Sequence, residues 1–296
     1  MEFKWDIQAE IERYSALWQS KPPSGIKHSP TIWDERAQEW ESGLRSNDAR
    51  YARSERRINS IAAFLRSRGL LNSKEKIIDI GCGPGRFVAT FAKTAEHVIG
   101  FDLSPRMAEF GARYASEMGL KNVSFESGDF KSLDIDEKHW RGQFDLVFSS
   151  ITPAISSLAE TEKMIALSRA YCFNCAYVYA FDPIEEELFR DLHQTKPPRR
   201  WDGRTFYAML NLLWLRGYFP EVTYYKEFSE ERILPDRSLA VRIAEKRLPD
   251  ATEADLAKIQ QYLAERAGSD GLLLYPTTRW YGLLLWDIRD QSIRNY

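Results

Sequence analysis

The chain has 296 residues, a formal net charge of −2 and 44% hydrophobic residues. This length suits one large domain or a domain with an attached lid, and the charge gives no general attraction for nucleic acid or anionic membranes. Three cysteines argue against a secreted disulfide scaffold. The first residues do not resemble a signal peptide, and no apolar stretch reaches about 18 residues. We therefore expect a cytoplasmic protein without a membrane span.

The N-terminal segment is rich in tryptophan, and a Pro-Pro pair divides it into two helical pieces. In the second piece Trp33, Ala37 and Trp40 have helical spacing, and Thr31 is suited to the N-cap. We predict that residues 1–45 form a helical cap. Such a cap either packs on the main domain as an ordinary helix or forms a flap over a ligand pocket.

Beyond this segment, helical and strand patterns alternate along the chain. A helix is predicted at 46–68, and further helices at 85–94, 105–118 and 161–171 separate the first strands. The predicted strands are 76–80, 97–101, 122–126, 144–148, 176–181, 221–225 and 279–286. This alternation predicts an α/β fold with a doubly wound, seven-stranded, mostly parallel sheet, whose ligands bind at the carboxyl ends of the strands.

A long insertion separates the last two predicted strands. It contains roughly fifty residues with two helical patterns, the second opened by the capping-box pair Thr252 and Asp255. We place a helical insertion at about 229–270 within a main domain of residues 46–296. Insertions of this length often cover active sites, so this one is either a lid or an outer buttress.

A glycine turn follows the first predicted strand, and an acid closes the second. Asp79 precedes the spacing Gly81-x-Gly83-x-Gly85, and Asp102 ends the second strand. Glycines let the backbone approach a ligand closely, and the acid can accept hydrogen bonds from ribose hydroxyls. A dinucleotide site would carry a further glycine where this chain has arginine, and the Gly-Lys-Ser/Thr ending of a P-loop is absent. The pattern therefore indicates a nucleotide-like cofactor but argues against a nicotinamide, a flavin or a P-loop nucleotide.

Together these motifs resemble those of the class I S-adenosylmethionine-dependent methyltransferases over about residues 45–290. Ser127-Gly128-Asp129-Phe130, after the third strand, is similar to the motif whose acid contacts the adenine amino group. Phe144–Ser150 resembles the strand whose end faces the transferred methyl group. The resemblance implies S-adenosylmethionine as the cofactor and the binding residues Asp79, Gly81, Cys82, Gly83, Gly85, Asp102, Leu103, Gly128, Asp129, Phe130 and Ser149.

The resemblance also implies a role for the side chains that could select the cofactor. Asp79 would order the glycine loop and the amino acid part, Asp102 would bind the ribose hydroxyls, and Asp129 would contact adenine. Phe130 would stack on adenine or fill the core, and Cys82 would offer its backbone N–H rather than a nucleophilic thiol. Each acid also has a simpler alternative as a capping, surface or turn residue.

The acceptor is less well indicated than the cofactor. The segment Ser149-Ser150-Ile151-Thr152 stands where amino-methylating nucleic acid enzymes of the family carry an Asp/Asn-Pro-Pro-aromatic tetrad. With the near-neutral charge, this departure makes a nucleic acid partner less expected. We therefore predict an enzyme that transfers a methyl group to a small molecule by direct displacement, with no assigned catalytic residue or oligomeric state. The alternatives are a methyltransferase for protein or RNA, and a non-catalytic cofactor-binding regulatory or scaffold protein.

Three other features could carry chemistry. His193 is either a base on the acceptor side or a helix-end histidine, and the basic loop 196–201 could hold an anionic acceptor or be solvated. Cys172 and Cys175 have the spacing of half a zinc site, but no second pair completes it, so we predict no metal.

Overall fold

The computed structural model describes residues 6–20, 33–34, 37, 49–194, 203–248 and 250–291. A seven-stranded sheet carries helices on both faces. Its strands are β1 (Lys76–Ile80), β2 (His97–Asp102), β3 (Val123–Ser127), β4 (Phe144–Ser150), β5 (Ser168–Phe181), β6 (Glu221–Ile233) and β7 (Leu273–Asp287). The described helices are α1 (Ile7–Gln19), α2 (Ala49–Ser67), α3 (Arg86–Phe91), α4 (Pro105–Glu117), α5 (Leu158–Leu167), α6 (Pro183–His193), α7 (Arg204–Leu215), α8 (Arg237–Arg247) and α9 (Glu253–Ala264).

The sheet has the order β3-β2-β1-β4-β5-β7-β6, which confirms the predicted fold class. The first five strands in this order are parallel, whereas β7 is antiparallel to both of its neighbours. Ile78 of β1 pairs with Ile99 on one side and with Val147 on the other. The strand order reverses at β1, so a crevice for a ligand is expected at its carboxyl end.

The central strands are apolar because both faces of the sheet are covered. Ile77, Ile78 and Ile80 of β1 are fully buried. Ile77 packs with the side chains beneath α2 and α3, while Ile78 and Ile80 belong to the core on the opposite face. This burial on both sides is typical of a parallel sheet between helices and explains the continuous apolar runs in the sequence.

The ring of Phe125 on β3 fills a recess formed by three glycines. A Cβ atom on Gly85, Gly100 or Gly111 would approach this ring to 2.7, 2.7 or 2.4 Å. These glycines come from the start of α3, from β2 and from α4. Their small size therefore allows the two helices to pack closely on the sheet beside the glycine turn.

The structure corrects the boundary between α5 and β5. The predicted helix 161–171 ends at Leu167, and residues 168–171 begin β5, which was expected only from Ala176. Cys172 and Phe173 are fully buried and pair with Val147 and Phe148 of β4. A strand buried on both faces lacks polar–apolar alternation, so the pattern alone does not separate it from a buried helix. Strands β6 and β7 also extend beyond their predicted bounds.

The added lengths of β6 and β7 form an extension that α6, α8 and α9 cover. At its centre the fully buried Glu185 accepts hydrogen bonds from Arg247 Nε at 2.7 Å and from the hydroxyl of Tyr275 at 3.0 Å. Residues 234–272, including α8 and α9, occupy most of the predicted insertion, whereas 229–233 still belong to β6. The packed apolar side chains include Leu188, Phe189, Leu239, Ile243, Ile259 and Leu263.

The N-terminal helix α1 packs against α7. Ile11 and Trp18 are buried in the core, and the rings of Tyr14 and Tyr207 meet edge to face at 5.7 Å. The second helical piece predicted within residues 1–45 lies largely outside the described residues. Among the described residues, no helix is long and apolar enough to cross a bilayer.

We predict that Glu185→Ala lowers the free energy of unfolding by about 3–5 kcal/mol, because it leaves the charge of Arg247 buried without its closest partner. Urea denaturation followed by circular dichroism measures this change. The control is Glu186→Ala, which removes a more exposed carboxylate from the same helix and should cost less than about 0.5 kcal/mol. Equal effects of the two substitutions would contradict the role given to the buried pair.

Candidate functional site

A cavity of about 390 Å³ lies at the carboxyl ends of β1, β2 and β4. Its volume falls within the range of small-ligand sites. Most of the residues predicted from the sequence line it, namely Asp79, Gly81, Cys82, Gly83, Asp102, Leu103, Gly128, Asp129 and Phe130. Gly85 is the N-cap of α3 just behind the loop, with a φ of 74°.

The glycine turn is held close to β2 and to the segment after β4. The backbone N–H groups of Gly81 and Cys82 donate to the carbonyl of Phe101 at 2.7 and 3.2 Å. Gly81 has a φ of 71°, and a Cβ atom there would lie 2.0 Å from Oγ1 of Thr152. Glycine therefore meets both the backbone conformation and the available space at this position.

Asp102 joins the glycine loop to the helix that follows β2. Its Oδ2 accepts from the N–H of Gly83 at 2.8 Å, and its Oδ1 accepts from the N–H of Ser104 at 3.0 Å. Ser104 in turn caps α4 by accepting from the N–H of Met107. Burial raises the pKa of Asp102, although these backbone hydrogen bonds oppose the rise. The carboxylate is thus fixed in the cavity wall and retains acceptor capacity for a ligand.

Asp79 lies deeper in the same wall and is only 2% exposed. Its Oδ2 has no hydrogen-bond partner among the described residues. Burial raises the pKa of Asp79 well above its usual value, and the nearby charge of Asp102 raises it further. An unpaired buried carboxylate beside a cavity is costly without a ligand, which makes it a candidate for binding a cationic donor.

The segment after β3 forms another part of the cavity wall. Asp129 is exposed, and its Oδ1 accepts from the N–H of Lys131 at 2.9 Å. Phe130 is 3% exposed, lines the cavity and lies 6.4 Å from Phe101, measured between ring centroids. Phe130 therefore fills core while presenting part of its surface to the cavity.

Ser149 is placed differently from the other predicted residues. Its fully buried hydroxyl accepts from Nδ2 of Asn174 at 2.9 Å, and the residue is outside the cavity lining. Ser150 lines the cavity instead. Successive side chains of a strand point to opposite faces, so Ser149 faces the core whereas its neighbour Ser150 faces the cavity.

The sequence motifs did not identify the residues that line the cavity on the side of α2 and β5. Ser54, Arg57 and Ile58 of α2 and Tyr177 of β5 line the cavity there, as does Trp33 from the N-terminal segment. Arg57 is one of five arginines on α2, and nothing in the sequence separates it from the others as a cavity residue. Its contacts with strands far along the chain become visible only in the fold.

The backbone beyond β4 is strained where it borders the cavity. Ile151 has a φ of 53°, which is unusual for a β-branched residue. Its N–H donates to the carbonyl of Cys175 at 2.8 Å, which holds this conformation. The turn places Thr152 over Gly81 and so closes the cavity above the glycine loop. Such strain is often found at ligand sites.

His193 and the cysteines of β5, three further candidates from the sequence, do not line this cavity. His193 is on α6, with its ring 5.2 Å from that of Phe189. Cys172 and Cys175 are buried in β5, where burial raises the pKa of the Cys175 thiol to about 11. No group of three potential metal ligands occurs among the described residues. The basic loop 196–201 lies outside the described residues.

Comparisons with known proteins agree with the cofactor site. Residues 71–196 match the family described as "Methyltransferase domain". The chain is 26% identical over 135 residues to the uncharacterized methyltransferase YcgJ of Bacillus subtilis (strain 168), covering 43% of this chain and 50% of that protein. It is 35% identical over 92 residues to the 23S rRNA (uracil(1939)-C(5))-methyltransferase RlmD of Shewanella sediminis (strain HAW-EB3), covering 30% and 21%. The chain thus spans half or less of the length of these relatives.

Solved structures give weaker similarity over more of the chain. The crystal structure of YcgJ from Bacillus subtilis covers 77% of this chain and 97% of that one, with a TM-score of 0.47 and 16% identity. Magnesium protoporphyrin IX methyltransferase (ChlM) from Synechocystis PCC 6803 covers 93% and 94%, with a TM-score of 0.42 and 12% identity.

The doubly wound sheet and the glycine turn at its switch point define a nucleotide-cofactor domain of the α/β class. Within that class, residues 71–196 match the methyltransferase domain family. S-adenosylmethionine is the cofactor of such domains.

We predict that Asp79→Asn stabilises the ligand-free protein at neutral pH. Because the pKa of Asp79 is raised in the folded state, the folded protein holds this proton more tightly than the unfolded chain does. Stability should therefore fall as the pH rises from about 4, the unfolded value, through the folded pKa. Urea denaturation at several pH values should show a higher free energy of unfolding and a weaker fall with pH for the variant.

The matched control for this experiment is Asp136→Asn, because Asp136 is an exposed acid that forms a surface ion pair with Arg141. This control should leave the fall of stability between about pH 4 and pH 8 unchanged, since Asp136 has a lowered pKa. An Asp79→Asn protein that is less stable than the parent at pH 7 would show that the carboxylate has a stabilising partner.

Proposed function

We propose that this chain transfers the methyl group of S-adenosylmethionine to a small-molecule acceptor. The observation that carries the proposal is the pair of acids in one cavity, with Asp79 unpaired and Asp102 fixed beside the glycine loop. A cofactor that carries an ammonium group and a ribose satisfies both of them.

The residues present fit the separate parts of this cofactor. The unpaired Oδ2 of Asp79 would accept from the ammonium group, and Asp102 would accept from the ribose hydroxyls. Asp129 and Phe130 would contact adenine at the far end of the cavity. Arg57, which lines the cavity from α2, supplies the positive charge that the cofactor's carboxylate requires.

The bound cofactor supplies an activated methyl group, so transfer to a nucleophile is a direct displacement. The protein's part is to align the reactants and exclude water. Asp79 and Asp102 fix the donor from one side, while Ile151 and Thr152 close the cavity beside the end of β4. A general base is needed only when the acceptor holds its proton tightly, which is consistent with the absence of an assigned catalytic residue.

Two observations favour a small acceptor over RNA or protein. The candidate site is a cavity of about 390 Å³, a volume typical of sites for small ligands. The end of β4 and the two residues after it carry Ser149-Ser150-Ile151-Thr152 in place of the tetrad that holds amino groups of nucleic acid bases. The relative named as an rRNA methyltransferase shares only 92 aligned residues with this chain, so it supports the domain rather than the acceptor.

We predict that the protein binds S-adenosylhomocysteine in calorimetry and that Asp102→Ala weakens this binding by about 1–3 kcal/mol, the usual cost of losing a charged hydrogen-bond partner. The control Asp136→Ala removes an exposed acid paired with Arg141 and should leave the affinity unchanged. If the parent protein shows no binding, the cofactor assignment fails.

The acceptor class can be tested with S-adenosylmethionine labelled in its methyl group. A cell extract is divided into metabolites below about 1 kDa, RNA and protein, and each fraction is incubated with the enzyme and with the Asp102→Ala variant as control. We expect label in the metabolite fraction, because the candidate site has the volume of a small-ligand cavity. Label in RNA or protein alone would overturn the small-molecule proposal while leaving methyl transfer intact. Cofactor binding without label in any fraction would favour a regulatory or scaffold protein.

A further inference from the structure

Three arginine–glutamate pairs connect α2 and the turn that follows it with β6, namely Arg53–Glu231, Arg57–Glu227 and Arg68–Glu221. The middle pair is deeply placed, with side-chain exposures of 16% for Arg57 and 4% for Glu227. The pair nearest the end of α2 is much more exposed, at 43% for Arg68 and 39% for Glu221. Of the three arginines, Arg57 is the one that lines the cavity. The middle pair is therefore placed to affect a ligand.

Arg57, Glu227 and Tyr281 are joined to one another by hydrogen bonds. Nη1 of Arg57 donates to Oε2 of Glu227 and to the hydroxyl of Tyr281, both at 3.1 Å. The hydroxyl of Tyr281 donates to Oε1 of Glu227 at 3.2 Å. The guanidinium carbon also lies 4.9 Å from the ring centroid of Tyr281. Because Glu227 and Tyr281 are both buried, these contacts restrict the guanidinium to one orientation.

This arrangement leaves the other edge of the guanidinium for a ligand. Both hydrogen bonds to Glu227 and Tyr281 use Nη1, and Nε is buried without a hydrogen-bond partner among the described residues. The edge formed by Nε and Nη2 is one that arginine uses to bind a carboxylate through two parallel hydrogen bonds. An anionic group in the cavity would satisfy it.

The charges in this region also favour an anion. Arg279 lies 3.8 Å from Oε1 of Glu227, so two arginines share one carboxylate. Burial lowers the pKa of Arg57, but Tyr281, Glu227, Tyr177 and Cys175 together raise it by more, so the guanidinium stays charged. The cluster of Arg57, Arg279 and Glu227 thus keeps one net positive charge beside the cavity.

We propose that Glu227 and Tyr281 are positioning residues that hold Arg57 ready for the carboxylate of the cofactor's amino acid part. The proposal rests on the function proposed above and deepens it. Both residues belong to β6 and β7, outside the segment 71–196 that matches the methyltransferase family. The C-terminal strands therefore take part in cofactor recognition as well as in the sheet.

The test compares two ligands that differ in the amino acid part. S-adenosylhomocysteine carries the carboxylate, whereas 5′-methylthioadenosine keeps the adenine, ribose and sulfur but lacks it. In calorimetry, Glu227→Gln should weaken S-adenosylhomocysteine binding about tenfold, equivalent to roughly 1.4 kcal/mol. Tyr281→Phe keeps the ring contact and should weaken it by about threefold, roughly 0.7 kcal/mol. Neither change should alter the affinity for 5′-methylthioadenosine.

Glu221→Gln is the matched control, because it breaks the same kind of arginine–glutamate pair to β6, at the exposed turn after α2. It should change neither affinity. Circular dichroism checks that each variant folds, and Tyr281→Phe carries the test if Glu227→Gln does not. An equal loss of both ligands, or no loss of either, would overturn the positioning role. A parent protein that binds both ligands equally well would overturn the carboxylate contact but leave the methyltransferase proposal, whereas binding of neither would overturn both.

Discussion

The carboxylate of Asp102 is the interaction on which the candidate site depends. It joins the glycine loop after β1 to the start of α4 after β2 through two backbone hydrogen bonds. The two strands are neighbours in the sheet, and the N–H groups of Gly81 and Cys82 also bond the glycine loop to the carbonyl of Phe101. One buried side chain thus fixes two backbone segments relative to each other, and the cavity wall that they form needs no ligand to assemble.

The cavity contains two charged groups that are positioned for partners on a ligand. Asp79 is buried with an unpaired oxygen, and Arg57 is buried with an unpaired Nε among the described residues. Each group loses hydration on folding without full compensation, and the cost falls on the ligand-free protein. A ligand with an ammonium and a carboxylate group would offset both desolvation costs by pairing with Asp79 and Arg57. This is the physical basis of preorganisation, since little reorganisation is left to the binding step.

The sequence predicted the features that depend on local patterns and missed those that depend on distant contacts. The strand order and the glycine loop followed from alternation, spacing and family resemblance, and most predicted site residues line the cavity. The start of β5 was missed because burial on both faces removes alternation. Ser149 was predicted at the cofactor site, but Ser150 lines the cavity, because successive side chains of a strand point to opposite faces. Arg57 was not predicted, because its partners Glu227 and Tyr281 lie far along the chain and contact it only in the folded protein.

The recess around Phe125 has a consequence for how this domain can change during evolution. Gly85, Gly100 and Gly111 come from three different elements, yet one aromatic ring excludes a side chain from all of them. A methyl group at Gly111 becomes acceptable only after residue 125 has become smaller, and one at Gly100 must in addition avoid Sγ of Cys82, 2.9 Å away. The order of substitutions therefore matters, and the fitness effect of a change at either glycine depends on the residue already present on β3. Such epistasis links the outer strand of the sheet to the loop at its centre.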